Sequence, residues 1–275
     1  MRIDLHTHSN RSDGTDTPRE LVEKAAAQGL DVVALTDHDS TAGWAEARAA
    51  AERAGIELVG GIEISTMLDG VSIHLLGYGF DPDDPALLAE LGRVLGGRDD
   101  RLPALLDQLA GHGMPLTVDD VVAQSGAAAA SGRPHVADAM VAAGYVRDRD
   151  EAFRDWLYDD GPVYVARYGT PLRDAIDLVA AAGGVSVVAH PWARKARRVL
   201  TPDVIAALAA QGLGGVEVDH LNHSDEARKE LRGLARDLDL VVTGSSDYHG
   251  AGKGPEFHLG AHTTAPEELE RLLGR

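Results

Sequence analysis

The chain of 275 residues contains no cysteine. Disulfide bonds and thiolate metal sites are therefore excluded, because both need cysteine sulfur. Any metal ion that this protein binds must be held by nitrogen and oxygen ligands, which histidine, aspartate and glutamate side chains supply.

The sequence also lacks long apolar runs. The first residues, MRIDLHTH, include no apolar segment of signal-peptide length, and no stretch approaches the roughly eighteen uncharged apolar residues of a membrane span. We therefore expect a soluble, cytoplasmic protein with no membrane partner. Hydrophobic residues make up 44% of the chain, which is enough for one large core or for a core domain that carries an insertion.

Positive charge is scarce, with 26 lysines and arginines against 44 acidic residues, a net charge of -18 and a pI near 4.9. Such a surface repels a long polyanion, so duplex DNA is not an expected partner. An anionic substrate would need a strongly positive local site.

Short β-branched runs alternate with alanine- and leucine-rich stretches, which is the pattern of parallel strands joined by crossover helices. The first helix has a defined start, because Thr17 and Glu20 can form a capping box around Pro18, and Gly29 ends it. Seven such strands predict a closed or nearly closed barrel, one strand short of the usual eight, with a doubly wound open sheet as the alternative. The predicted strands are Arg2 to His6, Asp31 to Thr36, Glu57 to Glu63, Val71 to Tyr78, Val185 to His190, Gly215 to Asp219 and Leu240 to Ser245.

The strand pattern is interrupted between Arg98 and Gly169, where helical periodicity dominates. We interpret this stretch as an inserted, mostly helical subdomain. The predicted division is a first barrel part over residues 1–97, an insertion over 98–169 and a second barrel part over 170–275.

Histidines and acidic residues recur at or near the ends of the predicted strands. The carboxyl ends of parallel barrel strands share one face, where active sites lie, so these side chains are expected to converge. A single strand histidine is usually structural, and an HxH motif alone is weak evidence, but a domain without a metal has no reason to collect nine such residues at one mouth. The predicted metal ligands are His6, His8, Asp13, His38, Glu63, His74, His190, Asp247 and His249.

Nine ligands suit about three divalent ions, since a catalytic ion of the zinc type takes about three protein ligands and keeps one position open. Mixed imidazole and carboxylate ligation fits manganese, iron or zinc and does not distinguish them. Three ions carry about +6 and three carboxylates return about -3, which leaves a positive site in an acidic protein. Such a centre would bind phosphate and supply hydroxide for attack, because coordination lowers the pKa of water to about 7.

The motifs DLHTHSNRSDG, LTDHDS, GIEIS, SIHLLGY, VVAHP and GSSDYHG, in this order, resemble the polymerase and histidinol phosphatase (PHP) family. The resemblance implies an α/β fold, a distorted seven-stranded (β/α)7 barrel of the wider amidohydrolase group, and a metal-dependent phosphoesterase. It also implies catalytic roles for Glu63, His190 and Asp247. The implied ligand sets are His6, His8, Glu63 and Asp247 for one ion, Glu63, His74 and His190 for a second, and Asp13, His38 and His249 for a third.

Two further segments, SGRPHVADAMVAAGYV and GPVYVARYGTP, resemble the branch that acts on nucleoside 3',5'-bisphosphates and short 5'-phosphorylated RNA. The resemblance implies a phosphoesterase that makes nucleoside 5'-monophosphates and trims short oligonucleotides from the 5' end. A guanidinium offers phosphate a bidentate fork, which makes an arginine in GRPH the first candidate for substrate binding. The predicted substrate-binding residues are Arg133, Arg194 and His223. The histidines without a ligand pattern, assigned structural or surface roles, are His112, His220, His258 and His262.

Other functions stay open at this point. A histidinol-phosphate phosphatase, or another small-molecule phosphatase, would use the same ions on a different substrate. Related barrels hydrolyse amides or esters with similar ions. A regulatory module could bind nucleotides without turnover, although such a module usually lacks one or more ligands and none is missing here. A proofreading domain would need a polymerase as a partner chain. The sequence does not indicate the oligomeric state.

Overall fold

The computed structural model describes residues 1–193 and 195–274, which form a mixed α/β structure around one sheet of eight strands. The strands are β1 (Ile3–Asp4), β2 (Val32–Leu35), β3 (Glu57–Leu68), β4 (Val71–Tyr78), β5 (Thr170–Pro171), β6 (Val185–Val188), β7 (Gly215–Asp219) and β8 (Val241–Gly244). The helices in these residues are α1 (Pro18–Ala27), α2 (Trp44–Ala54), α3 (Pro85–Gly111), α4 (Val118–Ser125), α5 (Arg133–Ala142), α6 (Arg149–Ala152), α7 (Leu172–Ala181), α8 (Pro202–Gln211), α9 (Asp225–Asp237) and α10 (Pro266–Leu273).

Seven of the strands form a nearly closed barrel in the order β1-β2-β3-β4-β6-β7-β8, and the short β5 pairs with β3. The two ends of this path meet just beyond β1 and β8. There Thr7 and Tyr248 form a parallel bridge, and the backbone N–H of His8 donates to the carbonyl of Tyr248 at 2.8 Å. The predicted seven-stranded barrel is confirmed, and the open-sheet alternative is wrong.

One strand departs from the predicted parallel arrangement, because β4 runs antiparallel to both β3 and β6. The cause is a two-residue turn at Asp69 and Gly70, where φ is 48° and 77°. Two positive φ values define the tight hairpin turn for which an Asp-Gly pair is the usual sequence signal. The sequence TMLDGVSI therefore predicts a hairpin, and the parallel assignment of Val71–Tyr78 is wrong. As a result β3 continues past its predicted end at Glu63 to Leu68.

Both faces of the barrel sheet are buried, as parallel strands covered by helices require. Side chains alternate between two clusters along β2. Val32 and Ala34 belong to a cluster inside the barrel, while Val33 and Leu35 belong to a larger cluster between the barrel and its outer helices. This period of two is the reason that every second strand residue points toward the barrel interior, where the polar residues of the mouth also lie.

The capping box of α1 is present as predicted. The Thr17 hydroxyl accepts a hydrogen bond from the backbone N–H of Glu20 at 3.2 Å, and the Glu20 carboxylate accepts one from the N–H of Thr17 at 2.9 Å. Gly29 follows the helix with φ of 74°. The capped start of α1 therefore holds the chain in place directly after the loop that carries Asp13.

The region between β4 and β5 has a hydrophobic cluster of its own, formed mainly by α3, α4 and α5. The helix α3 joins it to the barrel. Leu87 and Leu91 in its first half pack in the outer barrel cluster, whereas Leu102 and Leu109 in its second half pack in the separate cluster. The predicted boundary at residue 98 falls inside this helix, and the division into 1–97, 98–169 and 170–275 stays a proposal. In the described part of the chain, no helix is both long and apolar enough to cross a membrane.

Candidate active site

The predicted metal ligands surround one cleft at the barrel mouth. Six of them line a cavity of about 100 Å³, namely His38, Glu63, His74, His190, Asp247 and His249. Asp13 lines an adjoining cavity. His6 and His8 are fully buried next to Glu63 and Asp247.

The first implied ligand set is compact. The Nε2 atoms of His6 and His8 are 3.0 Å apart and lie 3.2 Å and 3.1 Å from Glu63 Oε2. Both nitrogens lie 3.6 Å from Asp247 Oδ1. Four potential ligand atoms therefore face a common point.

The second set uses the other oxygen of the same glutamate. Glu63 Oε1 lies 2.7 Å from His74 Nδ1 and 3.4 Å from His190 Nε2. Because its two oxygens face different groups of histidines, the Glu63 carboxylate has the placement of a bridging ligand.

The third set lies beside the first. Asp13 Oδ1 is 3.3 Å from His249 Nε2, and Asp13 Oδ2 is 3.7 Å from His38 Nε2. His8 approaches this group as well, since its Nδ1 is 3.8 Å from Asp13 Oδ1. His8 therefore lies between the first and third groups, with one ring nitrogen toward each.

Two buried atoms of the cluster, Glu63 Oε1 and His38 Nδ1, make no hydrogen bond of normal geometry. Each nevertheless lies close to another potential ligand atom, His74 Nδ1 at 2.7 Å and Glu63 Oε2 at 3.1 Å. A buried polar atom without a partner costs about 1–3 kcal/mol, so native proteins rarely retain one without a reason. Three groups of these side chains have ligand atoms within 4.8 Å of one another. A divalent cation would satisfy the unpaired lone pairs, and the residues present therefore fit divalent metal ions.

Burial and neighbouring charges shift the pKa values of several side chains in the cluster. Burial lowers the pKa of His8 well below its ordinary value and lowers the pKa of His38 to about 4, so both imidazoles are neutral near pH 7. Burial alone would raise the pKa of Asp13 and of Glu63, but other histidines, His249 first for Asp13 and His74 first for Glu63, outweigh it and hold both pKa values well below the usual range. His6 differs: although burial alone would lower its pKa, Glu63, Glu217 and Asp247 hold it well above the ordinary value. Metal coordination requires neutral imidazoles and ionised carboxylates, so a cation would bind at His6 in competition with a proton.

The hairpin explains how His74 reaches this site from near the start of its strand. His74 pairs with Ser65 across the β3–β4 ladder, so the reversed direction of β4 places it at the edge where the parallel strands end. Two other members follow β6 and β8 in left-handed backbone conformation, His190 with φ of 29° and Asp247 with φ of 52°. Such strain in residues other than glycine is concentrated at functional sites.

Sequence comparison supports the same assignment. The PHP domain profile matches residues 4–110. A 3',5'-nucleoside bisphosphate phosphatase of Chromobacterium violaceum is 36% identical over 92% of this chain and 88% of its own length. A 5'-3' exoribonuclease of Haemophilus influenzae is 35% identical over 90% of each chain. The chain belongs to the PHP family. It is a phosphoesterase-type hydrolase, as the motifs imply.

The fold of this PHP enzyme matches a solved relative closely. A structure from Bifidobacterium adolescentis, assigned to the metal-dependent phosphoesterases, superimposes with a TM-score of 0.93 at 38% identity. The match covers 99% of this chain and 95% of that one. The seven-stranded barrel and the helical region between β4 and β5 are therefore shared over the whole length.

Glu217 is a site residue that the sequence prediction missed. It lies on β7, is fully buried, and accepts hydrogen bonds from His6 Nδ1 at 3.1 Å, from the Ser245 hydroxyl and from the His190 backbone N–H at 2.8 Å. The bond to Nδ1 leaves His6 Nε2 free to face the cluster, which is how a carboxylate orients a metal-binding histidine. An ionisable residue in the middle of the buried strand GVEVD was the available signal.

Asp247 is held by two further residues that the prediction did not place in the site. Lys253 Nζ lies 2.5 Å and His220 Nε2 lies 3.3 Å from Asp247 Oδ2. Burial alone would raise the pKa of Asp247, but Lys253 and His6 hold that pKa well below its usual range. His220 is fully buried, which excludes the surface role and leaves the structural one, with its contact to Asp247 linking it to the site.

The three predicted substrate-binding residues differ in placement. Arg133 lines both cavities and donates to Asp159 Oδ1 at 2.7 Å. His223 is buried away from both cavities. Its Nδ1 donates to the Val218 carbonyl at 2.9 Å and its Nε2 accepts from the Trp192 N–H at 3.2 Å, which gives it a structural role. Arg194 lies outside the described residues.

A second, larger cavity of about 260 Å³ adjoins the first and shares His38, His74 and His249 with it. Its wall on the side of the insertion carries more basic than acidic residues, with Asp150 as the acidic lining residue of that segment. The basic residues that line it are Arg98, Arg101, Arg133, Arg149, Arg167 and Lys253. The sequence prediction included only Arg133 among them, because the others come from separate segments with no common motif.

Proposed function

We propose that this PHP enzyme removes the 3'-phosphate from nucleoside 3',5'-bisphosphates to give nucleoside 5'-monophosphates, and that it trims short oligonucleotides from a phosphorylated 5' end. The observation that carries the proposal is the convergence of six imidazoles and three carboxylates around Glu63 at the base of a cleft. The names of the two relatives, a nucleoside bisphosphate phosphatase and an exoribonuclease, support the substrate class.

The proposal includes three divalent ions, manganese, iron or zinc, held by the three ligand sets with Glu63 shared between two of them. When bound, such ions supply Lewis acidity toward phosphate oxygens and lower the pKa of water to about 7. Glu63 and His190 shape the floor of the cleft and hold the ions. Asp247 lies between the histidines of the first set and the cleft.

The chain's own residues would bind and orient the phosphate. Lys195, Lys253 and Arg133 line the smaller cavity, where their positive charge attracts a phosphate group despite the net charge of -18. Lys253 and His220 fix the plane of the Asp247 carboxylate by contacting its outer oxygen. Glu217 fixes His6 in the same way.

The size of the two cavities favours a small nucleotide or the end of a short RNA, and not a duplex. The cationic wall also disfavours histidinol phosphate, because that substrate carries an amine cation. A cytoplasmic location, where nucleotides and RNA fragments occur, belongs to the same proposal.

The test uses full-length protein loaded with manganese. Adenosine 3',5'-bisphosphate, 5'-phosphorylated short RNA, histidinol phosphate and a non-phosphorylated ester are offered at equal concentration, and phosphate, mononucleotide or acid release is measured. We expect hydrolysis of the first two substrates above the others. Release from neither would overturn the proposal, and preference for histidinol phosphate would favour the alternative phosphatase.

A matched pair of variants separates the site from the surface. His38→Ala removes a member of the cluster, whereas His258→Ala changes an exposed histidine away from both cavities. We expect the first to lose activity and bound metal and the second to keep both. Equal activity of the two variants would contradict a role for the cluster.

A further inference from the structure

The loop that carries Asp13 is held from outside the barrel. Asp13 does not lie on a strand, since it belongs to the segment between β1 and α1. Loops are more mobile than the strands they connect, so a metal ligand on a loop needs support from its surroundings to keep its place. Three consecutive residues of this loop, Arg11, Ser12 and Asp13, receive such support from the insertion, the helical region between β4 and β5.

The first two contacts come from the segment around the start of α5. The backbone N–H of Ala129 donates to the Arg11 carbonyl at 3.0 Å. His135 of α5 is almost fully buried, and its ring interacts with the backbone of Ser12. Both contacts involve the backbone of the loop, so they hold its path and leave its side chains free to face the site.

The third contact is made by Arg149, the first residue of α6. Its Nη1 donates to the Asp13 carbonyl at 3.1 Å and to the Gly252 carbonyl at 3.4 Å. Gly252 belongs to the loop that begins at His249, and the Thr15 N–H joins the two loops by donating to the His249 carbonyl at 3.1 Å. The Arg149 guanidinium therefore bridges the two loops that supply Asp13 and His249 to the third ligand set.

The guanidinium is itself fixed by the insertion. Its Nε and Nη2 donate to the two carboxylate oxygens of Asp138 on α5 at 2.6 Å and 2.5 Å, and its side chain is 15% exposed. Four hydrogen bonds to the protein thus occupy a group that has five N–H donors. Although Arg149 lines the larger cavity, its guanidinium is committed to the two loops and to Asp138, and it does not present a free fork to phosphate.

The contact with the second loop depends on the missing side chain of Gly252. A Cβ atom at this position would overlap Nη1 of Arg149. Gly252→Ala would therefore displace the guanidinium from the loops without changing a charge in the protein.

We propose that Arg149 is a positioning residue for the third ligand set, through which metal binding and the packing of the insertion stabilise each other. This inference rests on the proposed function, from which it takes the ligand sets. An ion held by Asp13, His38 and His249 would fix both loops, and these loops would fix Arg149 and, through Asp138, the helices α5 and α6. Coupling between two sites is reciprocal, so loosening Arg149 weakens the ion and removing the ion loosens the insertion.

The first experiment titrates manganese into full-length protein from which metal has been removed. We expect Arg149→Met and Gly252→Ala to lower the affinity for one ion per chain by about 10- to 100-fold, as for other groups that orient ligands, while the remaining ions keep their affinity. Arg147→Met is the matched control, because this nearby arginine pairs with Glu151 at the surface. It should bind manganese as the wild type does.

Combined variants assign the effect to the third ligand set. Asp13→Asn removes the carboxylate charge of that set, so adding Arg149→Met should cause no further loss of manganese affinity. Glu217→Gln acts on the first set through His6, so its loss and that of Arg149→Met should multiply. A residue that only stabilises the fold would give the same additional loss in both backgrounds.

The second experiment measures the reverse effect by hydrogen exchange. Manganese should slow the exchange of backbone amides in α5 and α6 of the wild type and of Arg147→Met, because the ordered loops then hold Arg149 in place. In Arg149→Met we expect this slowing to be lost in α5 and α6 and kept in β3, which carries Glu63.

The outcomes separate this inference from the proposed function. Wild-type manganese affinity in both Arg149→Met and Gly252→Ala overturns the inference, whatever substrate the enzyme hydrolyses. An equal loss for every ion also overturns it, and so does a loss confined to the affinity for adenosine 5'-monophosphate, because Arg149 would then act on the substrate. A selective loss for one ion supports the inference, even if the wild-type enzyme proves to cleave a different phosphate ester. If Arg149→Met does not fold, Gly252→Ala decides by the same criteria.

Discussion

The two sides of the cleft differ in the sign of the charge that the protein leaves without a counterion. On the barrel side, Asp13, Glu63 and Asp247 are buried among histidine side chains and form groups that fit cations. On the insertion side, Arg101 is almost entirely buried and has no carboxylate within salt-bridge distance in the described part of the chain. In the proposed complex, divalent ions would compensate the carboxylates of the barrel side and an anionic phosphate ester would compensate the arginines of the insertion side.

The comparison also shows how little the net charge says about a site. A chain at -18 encloses a cavity with a cationic wall, because local charge depends on which residues the fold brings together.

Replacing Glu63, whose carboxylate is shared by two of the proposed ligand sets, should abolish hydrolysis and reduce metal binding. Glu63→Gln keeps the shape of the side chain but removes the charge that faces His6, His8 and His74. We expect kcat/KM to fall by about 1,000-fold or more, beyond the 10- to 100-fold typical of residues that only orient ligands. Elemental analysis should show fewer bound ions than in the wild type. Full metal content with near-normal activity would show that Glu63 does not join two ion sites.

Removing the counterion of Arg98, an arginine of the insertion side that is paired with Asp39, should lower the stability of the protein more than its activity. Asp39 accepts from Arg98 at 2.7 Å and from the Ser65 N–H at 2.7 Å, and it is almost fully buried. Asp39→Asn leaves Arg98 without its counterion, and we expect the free energy of unfolding to fall by about 3 kcal/mol. Denaturant titration measures this change.

The control for that change is an exposed pair. Asp237→Asn removes the partner of Arg236 on the surface of α9, where an ion pair contributes less than about 1 kcal/mol. If Asp39→Asn were no more destabilising than this control, the distinction between paired and unpaired arginines in the wall would fail.

The sequence predicts the residues of the barrel side of the cleft better than those of the insertion side, for a physical reason. Strand ends of a barrel converge by construction, so residues such as His6, His38 and His190 could be placed together from motif order alone. The arginine wall depends on how α3, the start of α5 and the segment before β5 pack, and no local pattern encodes that packing. The antiparallel direction of β4 is encoded locally by the turn at Asp69 and Gly70. The general pattern of parallel strands joined by helices predicts the opposite direction and is wrong at this connection.

Glu217 offers an intermediate test, because it contacts the ligands of the barrel side without facing the cleft. Glu217→Gln weakens the bond that orients His6. We expect metal affinity of the apo protein to fall about 10- to 100-fold, measured by titration with manganese. Glu230→Gln, which changes an exposed acid of α9, should leave that affinity unchanged. Equal affinities in both variants would mean that the His6 ring is held by its packing alone.

The smallest effect is expected at Arg133, which belongs to both cavities. Its charge is offset by Asp159 and its side chain is 22% exposed, so its attraction for phosphate is screened. We expect Arg133→Gln to raise KM for adenosine 3',5'-bisphosphate about 3- to 10-fold with little change in kcat, because it removes an interaction that substrate and transition state share. Steady-state kinetics at low and high salt measure it, and the effect should shrink at high salt. A fall in kcat larger than the rise in KM would instead place Arg133 against the phosphate that is cleaved.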